Sequence, residues 1–395
     1  MTPRLRTAEA VLPGHPDKLA DQIADAILDL ALREDPDAIV QVEVAVHDVH
    51  CHVNGRADVA GVPLGRDVVE AAIRAVYARV GFGRLFPGTD DWQCPRPADV
   101  VPHLVLTLDA ADPRETAERP FADDQAITIG YACHDERTSF LPVEQHLALR
   151  VRAAILALAD TRRDLQIGPD GKILVTLQEQ SNGCHRLSDV VVSVQHLACA
   201  PLVIIERAVR DAVRAVLVAE AAALGPALLV PDQPTIRVNR SGTFVSGGPM
   251  NDNGQTGRKL VHDYYGPRVP IGGGALCGKD PWRLDRNGAL RARQIAREVV
   301  ATGFVRECLV TFAWAPRDER PSHVEILADD RVLDAVTTAR WLKRFDPSLS
   351  ATHAELALAK VNWEHCARLG HFGRALPWEG AAGEGLVERG PSAGF

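Results

Sequence analysis

Residues 14 to 18 read Gly-His-Pro-Asp-Lys and place an imidazole, a carboxylate and an ammonium within one turn. Apolar side chains then recur at helical spacing, at Leu19, Ile23 and Ile27, so an amphipathic helix is expected to begin directly after the turn. The free N–H groups at the start of a helix favour anions. The turn is therefore a candidate anion site, and the alternative interpretation is an ordinary helix cap supplied by Asp17.

Lysine is rare in this chain, with six lysines among 44 basic residues. A compact ammonium with three donors suits phosphate oxygens, whereas arginine carries almost all the other positive charge here. Four of the lysines lie in turns rich in Gly, Pro or Asp: Lys18, Lys172, Lys259 and Lys279. This distribution indicates phosphate contacts in those turns.

The densest polar segment runs from residue 239 to residue 285 and contains GGPMNDNGQTGRK and GGGALCGKDPWRLD. Glycine lets backbone N–H groups approach phosphate oxygens, and carboxylates hold Mg²⁺ together with those oxygens. The segment does not match G-x-x-x-x-G-K-[ST], the sequence of a P-loop. It therefore predicts polyphosphate binding on another scaffold, and a solvated turn region of the same composition is the alternative.

Three parts of the chain repeat the order helix, strand, strand, helix. The first strands of the three units begin near Val40, Ile173 and Leu309. This order predicts an α/β (α+β) protein with an internal threefold repeat, each sheet covered by its own helices. We expect domains at residues 5–105, 120–235 and 236–380. Between the first two, residues 82–124 are rich in Pro, Asp and Gly and carry one plausible strand, so a functional or mobile loop is expected.

Composition narrows the class of protein. The 395 residues are 46% hydrophobic and 24% charged, as in ordinary globular proteins. A formal net charge of −8 argues against general binding to nucleic acid or to a membrane surface. We find neither an apolar run long enough for a membrane span nor a signal peptide, so cytoplasmic residence is the expectation. The eight cysteines show no C-x-x-C pair and are interpreted as reduced, mostly structural thiols.

Four motifs carry a family resemblance: GHPDKLADQIADAILD, GGPMNDNGQTGRK, GGGALCGKDP and GHFGRALPWE. Together they closely resemble S-adenosylmethionine synthetases, from about residue 9 to residue 379. The resemblance implies three similar α/β domains related by a pseudo-threefold axis, and dimers or tetramers with active sites at the subunit interface. It implies that the sulfur of L-methionine displaces triphosphate from C5′ of ATP. The tripolyphosphate is then hydrolysed to phosphate and pyrophosphate.

The resemblance also implies roles for individual residues. His15 would lie near the reacting bond, Lys172 would steady the leaving group, Lys279 would act on the phosphates and Arg258 would serve the hydrolytic step. The cofactors would be two Mg²⁺ ions, held by Asp17 and Asp285, and K⁺, held by Glu43. The remaining implied contacts to the nucleotide and phosphates are Lys18, Asp124, Asp170, Phe244, Asp252, Lys259 and Arg283, and Glu9 lies on the amino-acid side.

The amino-acid end departs from the family pattern. The first hairpin turn of the family reads G-G-E, and its carboxylate helps to hold the methionine ammonium, whereas Arg56 stands here in the sequence NGR. Trp314 replaces a small aliphatic residue and would narrow the pocket. Leu276, Cys277 and Arg283 replace Phe, Ser and Lys in the Gly-rich signature.

These departures leave several readings open. The leading expectation is an adenosyltransferase acting on L-methionine or a related nucleophile. The alternatives are a paralogue that uses another thioether, a thiol or water, and a non-catalytic regulatory subunit. Retention of the phosphate-binding residues argues against the last. Arg56 either faces the acceptor as a cation or turns into solvent.

Overall fold

The computed structural model describes residues 3–83 and 94–380. Ten α-helices occur in this part of the chain: α1 (Pro16–Glu34), α2 (Arg66–Val80), α3 (Pro113–Ala117), α4 (Val143–Thr161), α5 (Leu202–Leu224), α6 (Leu260–Asp263), α7 (Leu284–Ala301), α8 (Ala335–Arg344), α9 (Leu349–Glu355) and α10 (Trp363–Leu369). The strands in the same ranges are β1 (Arg4–Val11), β2 (Ile39–His47), β3 (His50–Asp58), β4 (Val101–Thr107), β5 (Ala126–Cys133), β6 (Ile167–Glu179), β7 (His185–His196), β8 (Leu228–Leu229), β9 (Ile236–Val238), β10 (Gly254–Gln255), β11 (Glu307–Trp314), β12 (His323–Ala328) and β13 (Arg331–Val332).

The predicted repeat of helix, strand, strand and helix is confirmed. The three copies are α1-β2-β3-α2, α4-β6-β7-α5 and α7-β11-β12-α8, and each central pair is an antiparallel hairpin. Alternating apolar residues put one face of each hairpin against helices, as with Val40, Val42 and Val44, which are almost completely buried. The opposite face of each hairpin is left more exposed.

The sheets exchange strands between the copies. The strand before α1, β1, pairs with β6 of the second copy, and the strand before α4, β5, pairs with β11 of the third. The short strand β10, which precedes α7, pairs with β2 of the first. The first sheet is thus β10-β2-β3-β4, the second contains β1, β6, β7, β8 and β9, and the third is β13-β12-β11-β5. The contiguous domain boundaries predicted from the sequence therefore do not separate the three sheets.

This cyclic exchange determines where the polar turns lie. Each exchanged strand leads into the first helix of its own copy while it pairs with another copy's sheet. The turn after β1 is held at the second sheet by the Gly14 N–H, which donates to the carbonyl of Pro169 at 2.9 Å. The Gly-rich segment reaches the first sheet through β10. The candidate chemistry is therefore concentrated at the junctions between sheets.

The strand predicted within residues 82–124 exists as β4, which runs parallel to β3 and ends at Thr107. Residues 84–93 of the predicted loop lie outside the described residues. The short helix α3 and a turn connect the strand to β5.

The C-terminal motif GHFGRALPWE is largely interior. The indoles of Trp363 and Trp378 stack with their centroids 5.8 Å apart, and Trp378 donates its indole N–H to the carbonyl of His371 at 2.7 Å. Buried Arg293 is paired with Glu379 at 2.8 Å. The helix α10 packs against α1, and Asp29 of α1 accepts the N–H groups of Trp363 and Glu364 at 3.0 Å each. In the described ranges, the helices include none with the length and apolar character needed to cross a membrane.

Candidate active site

His15 caps the N-terminus of α1. Its Nδ1 atom accepts the N–H of Asp17 at 3.2 Å. Burial, followed by the nearby Lys259 ammonium, lowers the pKa of His15 to about 4. The ring is therefore neutral near pH 7, and because Nδ1 accepts a hydrogen bond, Nε2 carries the proton. The turn presents a neutral N–H donor beside a helix N-terminus.

Asp17 is nearly buried and gathers the Gly-rich segment around α1. It accepts the N–H of Gln255 at 3.0 Å and the ammonium of Lys259 at 2.7 Å, and the guanidinium of Arg258 lies 3.5 Å away. Burial opposes ionisation of Asp17, but the hydrogen bonds from Lys259 and Gln255 outweigh it and lower the pKa of this carboxyl. Asp17 is thus a carboxylate within reach of two cations.

The second sheet adds Lys172 from β6 and Glu9 from the paired strand β1. The Lys172 ammonium lies 3.3 Å from the Glu9 carboxylate, and both side chains are partly exposed. Asp170 is nearly buried and accepts the N–H of Gly248 at 2.8 Å. Burial raises the pKa of Asp170 to about 6. Its hydrogen bond fixes the Gly-rich segment over the second sheet.

Phe244 is half-buried in a loop that is joined to the end of β7. Its N–H donates to Nε2 of His196 at 3.1 Å, and the side chain of Gln195 donates to the carbonyl of Val245 at 3.0 Å. Sequence reasoning missed Gln195 and His196. The signal was available, because two polar residues close the apolar strand DVVVSVQH immediately before a loop. Asp252 is exposed, and its charge acts on His15.

The predicted contact of Lys18 with the phosphates requires a correction. Its side chain is 1% exposed, and the ammonium lies 2.7 Å from Asp263 and 3.0 Å from Asp21. Lys18 is therefore a buried structural cation rather than a phosphate ligand, because a triphosphate has no access to it.

A second cluster contains Lys279, which is paired with Asp285 at the start of α7. Arg283 is paired with Asp123, while exposed Asp124 accepts the N–H of Gln125 at 2.7 Å. The backbone of Gly274 approaches Asp285 so closely that a Cβ there would lie 1.7 Å from the carboxylate. Here, too, a glycine-rich backbone surrounds a carboxylate and an ammonium.

The two clusters lie toward opposite ends of β2. The first is joined through Gly254, which pairs with Val46, and the second through Lys279, which pairs with Gln41. The five-residue offset between these two positions of β2 corresponds to roughly 16 Å along the strand. Within residues 3–83 and 94–380, no hydrogen bond or ion pair connects the two clusters. We call the cluster of Glu9, His15, Asp17, Asp170, Lys172, Phe244, Asp252, Arg258 and Lys259 the first half-site, and that of Asp123, Asp124, Lys279, Arg283 and Asp285 the second half-site.

Arg56 and Trp314 also differ from expectation. Arg56 donates to Asp58 at 2.8 Å and to Glu115 at 2.9 Å, so it is neither an unpaired cation facing the acceptor nor free in solvent. Trp314 is 4% exposed, and its indole N–H donates to the hydroxyl of buried Thr128 at 3.2 Å. Trp314 is a core residue of the third sheet, which gives no support to the prediction that it narrows the amino-acid pocket.

The carboxylates present fit Mg²⁺ only in part. Asp17 and Asp285 lie in different half-sites, and each is paired with a lysine. Mg²⁺ commonly binds proteins through one or two carboxylates and takes its other ligands from phosphates and water. The arrangement therefore suits metal ions that arrive with a nucleotide. Glu43 is exposed on β2, between the two half-sites along the strand.

Comparisons with known proteins all indicate one family. Sequence profiles for the N-terminal, central and C-terminal domains of S-adenosylmethionine synthetase match residues 3–90, 120–244 and 246–380. The chain is 34% identical to an S-adenosylmethionine synthase of Corynebacterium kroppenstedtii over 394 residues, covering 96% of both chains. It is 35% identical to that of Thermus thermophilus over 391 residues, covering 95% of both. An S-adenosylmethionine synthetase structure described as unusual, from Campylobacter jejuni, superposes with a TM-score of 0.82 at 26% identity, covering 95% of this chain and 96% of the other.

The chain belongs to the S-adenosylmethionine synthetase family. It is accordingly a transferase. The pseudo-threefold α/β architecture expected for the synthetase family is confirmed. Leu276 and Cys277, which depart from the synthetase signature, are both buried.

Proposed function

We propose that this protein forms S-adenosylmethionine from ATP and L-methionine, and hydrolyses the tripolyphosphate to phosphate and pyrophosphate. The observation that carries the proposal is the first half-site, where Lys172, Lys259 and Arg258 surround a neutral His15 at a helix N-terminus. Triphosphate departure concentrates negative charge on the leaving oxygen and the phosphates. Preorganised donors and cations lower the barrier because they stabilise that charge.

Each side chain has a distinct task in this proposal. The Nε2–H group of His15 donates a hydrogen bond to the oxygen that leaves C5′, and Lys172 neutralises the departing α-phosphate. A thioether sulfur needs no deprotonation, so the site needs alignment rather than a general base for the transfer step. Phe244 packs against adenine, and Arg258 binds the tripolyphosphate during hydrolysis. Asp17 and Asp285 would hold the two Mg²⁺ ions, which would supply charge neutralisation, and Glu43 is the proposed K⁺ ligand.

A cavity of about 420 Å³ beside the second half-site is the proposed acceptor pocket. Phe121 and Trp282 provide an apolar wall, and acids and arginines alternate around it: Asp112, Arg114, Glu115, Glu118, Arg119, Asp123 and Arg283. An amino acid with an apolar side chain needs an acid for its ammonium, a cation for its carboxylate and an apolar wall for its side chain. Glu115 and Asp58 neutralise Arg56, and Trp314 is buried, so neither residue presents an obstacle to methionine. This supports methionine as the proposed acceptor.

Two half-sites at separate positions in one chain further support a homo-oligomer. A second copy can place its second half-site against the first half-site of its partner, and a twofold axis would generate two equivalent complete sites. The proposed active sites therefore lie between subunits, in a dimer or in a tetramer of dimers.

The test is an assay of the purified protein with ATP, Mg²⁺ and K⁺, with and without L-methionine, followed by mass spectrometry of adenosyl products and polyphosphates. S-adenosylmethionine formed only with methionine is the expected result. Lys172→Ala should lower kcat by about 10²-fold or more, because it removes a positive charge that stabilises the leaving group. The variant should stay folded, because the Lys172 side chain is half exposed. Lys343→Ala, at an exposed position on α8, is the matched control and should leave kcat unchanged. ATP consumption that is indifferent to methionine would refute the proposal.

A further inference from the structure

The exposed face of the first sheet carries an unusual concentration of imidazoles. His50 and His52 lie two residues apart on β3 and therefore point to the same face, opposite buried Cys51. Their cross-strand partners are His47 on β2 and His103 on β4. Paired residues share a face of a sheet, so these four histidines form one group, which we call the imidazole patch.

Three rings of the patch are in direct contact. Nδ1 of His50 lies 2.9 Å from Nε2 of His103, and the rings of His52 and His103 stack at a centroid distance of 4.5 Å with an interplanar angle of 12°. The centroids of His50 and His52 are 6.3 Å apart. His50, His52 and His47 are exposed and His103 is partly so. None of the four forms an ion pair with any residue in the described ranges.

Each ring of the patch is an imidazole, which in its neutral form has one donor nitrogen and one acceptor nitrogen. Neutral imidazole is the ligand preferred by borderline divalent metals such as Zn²⁺, Cu²⁺ and Ni²⁺.

One pair of nitrogens in the patch has a spacing close to that of a metal site, whereas the three rings are not yet gathered around one point. Two nitrogens bound tetrahedrally to Zn²⁺ at their usual bond length are about 3.3 Å apart, and the His50 and His103 nitrogens are 2.9 Å apart. The contact between these two nitrogens is a hydrogen bond, in which one ring donates its N–H and the other accepts. A bound metal would replace this bond, and because exposed side chains change rotamer at low cost, modest rotation turns the acceptor nitrogens of the rings toward a common point.

The compact groups of possible ligands in the interior are less suitable. Asp21, Asp263 and Cys277 are close enough to share an ion, but the Lys18 ammonium already lies between the two carboxylates. In the overlapping group of Asp25, Cys277 and His371, the guanidinium of Arg286 donates to Asp25 at 2.7 Å. Cationic side chains occupy these interior positions, whereas none from the described part of the chain is paired with the imidazole patch.

We propose that His50, His52 and His103 form a binding site for a borderline divalent transition metal, represented by Zn²⁺, with His47 as an available fourth ligand. This site is distinct from the Mg²⁺ positions because its ligands are nitrogens rather than carboxylate oxygens. It does not depend on the proposed adenosyl transfer.

The test titrates Zn²⁺ into the full-length, tag-free protein after chelator treatment, in buffer with excess Mg²⁺ to fill oxygen sites. Calorimetry and elemental analysis should give one tightly bound Zn²⁺ per chain, or one per two chains if two copies share an ion. The double variant His50→Asn/His103→Asn should bind Zn²⁺ about 100-fold more weakly or not at all. His323→Asn removes an exposed strand histidine of the third sheet and should bind like the parent.

Two further readouts decide the outcome. In chelator, the double variant should keep the parent's circular dichroism spectrum and oligomeric state, so that any loss of binding reflects lost ligands rather than a lost fold. Cu²⁺ bound at the patch should show nitrogen hyperfine splitting from several imidazoles in electron paramagnetic resonance. Failure of the parent to bind stoichiometrically, equal affinity in the double variant, or a thiolate charge-transfer band would overturn the proposal.

Discussion

At position 56 an arginine stands where the family pattern has a carboxylate, and its neighbours determine what that change means. The guanidinium is bound on one side by Asp58, which is 2% exposed, and on the other by Glu115 at the start of α3. A positive charge that looks free in the sequence is thus balanced in the structure. The resulting ion-pair network keeps carboxylates beside the proposed acceptor pocket.

Arg56→Met tests this structural role. The variant should lower the free energy of unfolding by about 2 kcal/mol, because Asp58 stays buried without its cation, although it retains the N–H of Asp109. Glu115→Gln should cost less than about 1 kcal/mol, since Glu115 is half exposed. Urea denaturation measures both. If Arg56→Met leaves stability unchanged but alters acceptor preference, Arg56 is a substrate contact instead.

At the scale of elements, the decisive contact is between β10 and the start of α1. A Cβ on Gly254 would lie 2.1 Å from the backbone carbon of Pro16, so only glycine lets these two segments meet. The same contact brings the Gln255 N–H to Asp17. The geometry of the first half-site therefore depends on backbone packing as well as on its charged side chains.

Gly254→Ala should both destabilise the protein by about 1–3 kcal/mol and weaken ATP binding, because the backbone must move away from Asp17. Gly65→Ala is the matched control. Its Cβ would contact within 3 Å only the movable carboxylate oxygen of Asp67, so the expected loss of stability is that of a poorer N-cap for α2, and ATP affinity should not change. Thermal denaturation and nucleotide titration provide the measurements. Normal ATP affinity in a destabilised Gly254→Ala protein would contradict the proposed coupling.

At the scale of the whole molecule, cyclic strand exchange ties the three copies of the repeat together and leaves the half-sites at separate positions along β2. The proposed oligomer predicts subunit complementation. Lys172→Ala disables the first half-site and Lys279→Ala disables the second. Random mixing of these chains should restore about a quarter of wild-type activity, because half of the dimers are mixed and each has one intact site.

A second mixture provides the control for complementation. Lys172→Ala and Lys259→Ala both alter the first half-site, so every site in their mixed dimers remains defective and activity should stay at the level of each variant alone. Recovery in neither mixture, with mixed dimers demonstrated by mass spectrometry, would place each complete site within one chain.

Much of this protein follows from local sequence. The spacing of apolar residues and the composition of the turns determine the three helix–strand–strand–helix copies. This holds because an amphipathic segment must bury its apolar face, whichever segment covers it. The rarity of lysine, the glycines and the four motifs identify the phosphate-binding segments and the family. Each of these signals lies within one continuous stretch of chain.

Tertiary structure alone decided which residues meet. Lys18 and Lys259 look alike in sequence, yet Lys18 is enclosed by Asp21 and Asp263 while Lys259 reaches Asp17. The charge balance of Arg56, the core position of Trp314 and the exchange of strands depend on contacts between segments far apart in the chain. Burial and ion pairing are properties of three-dimensional neighbours, so no local pattern specifies them.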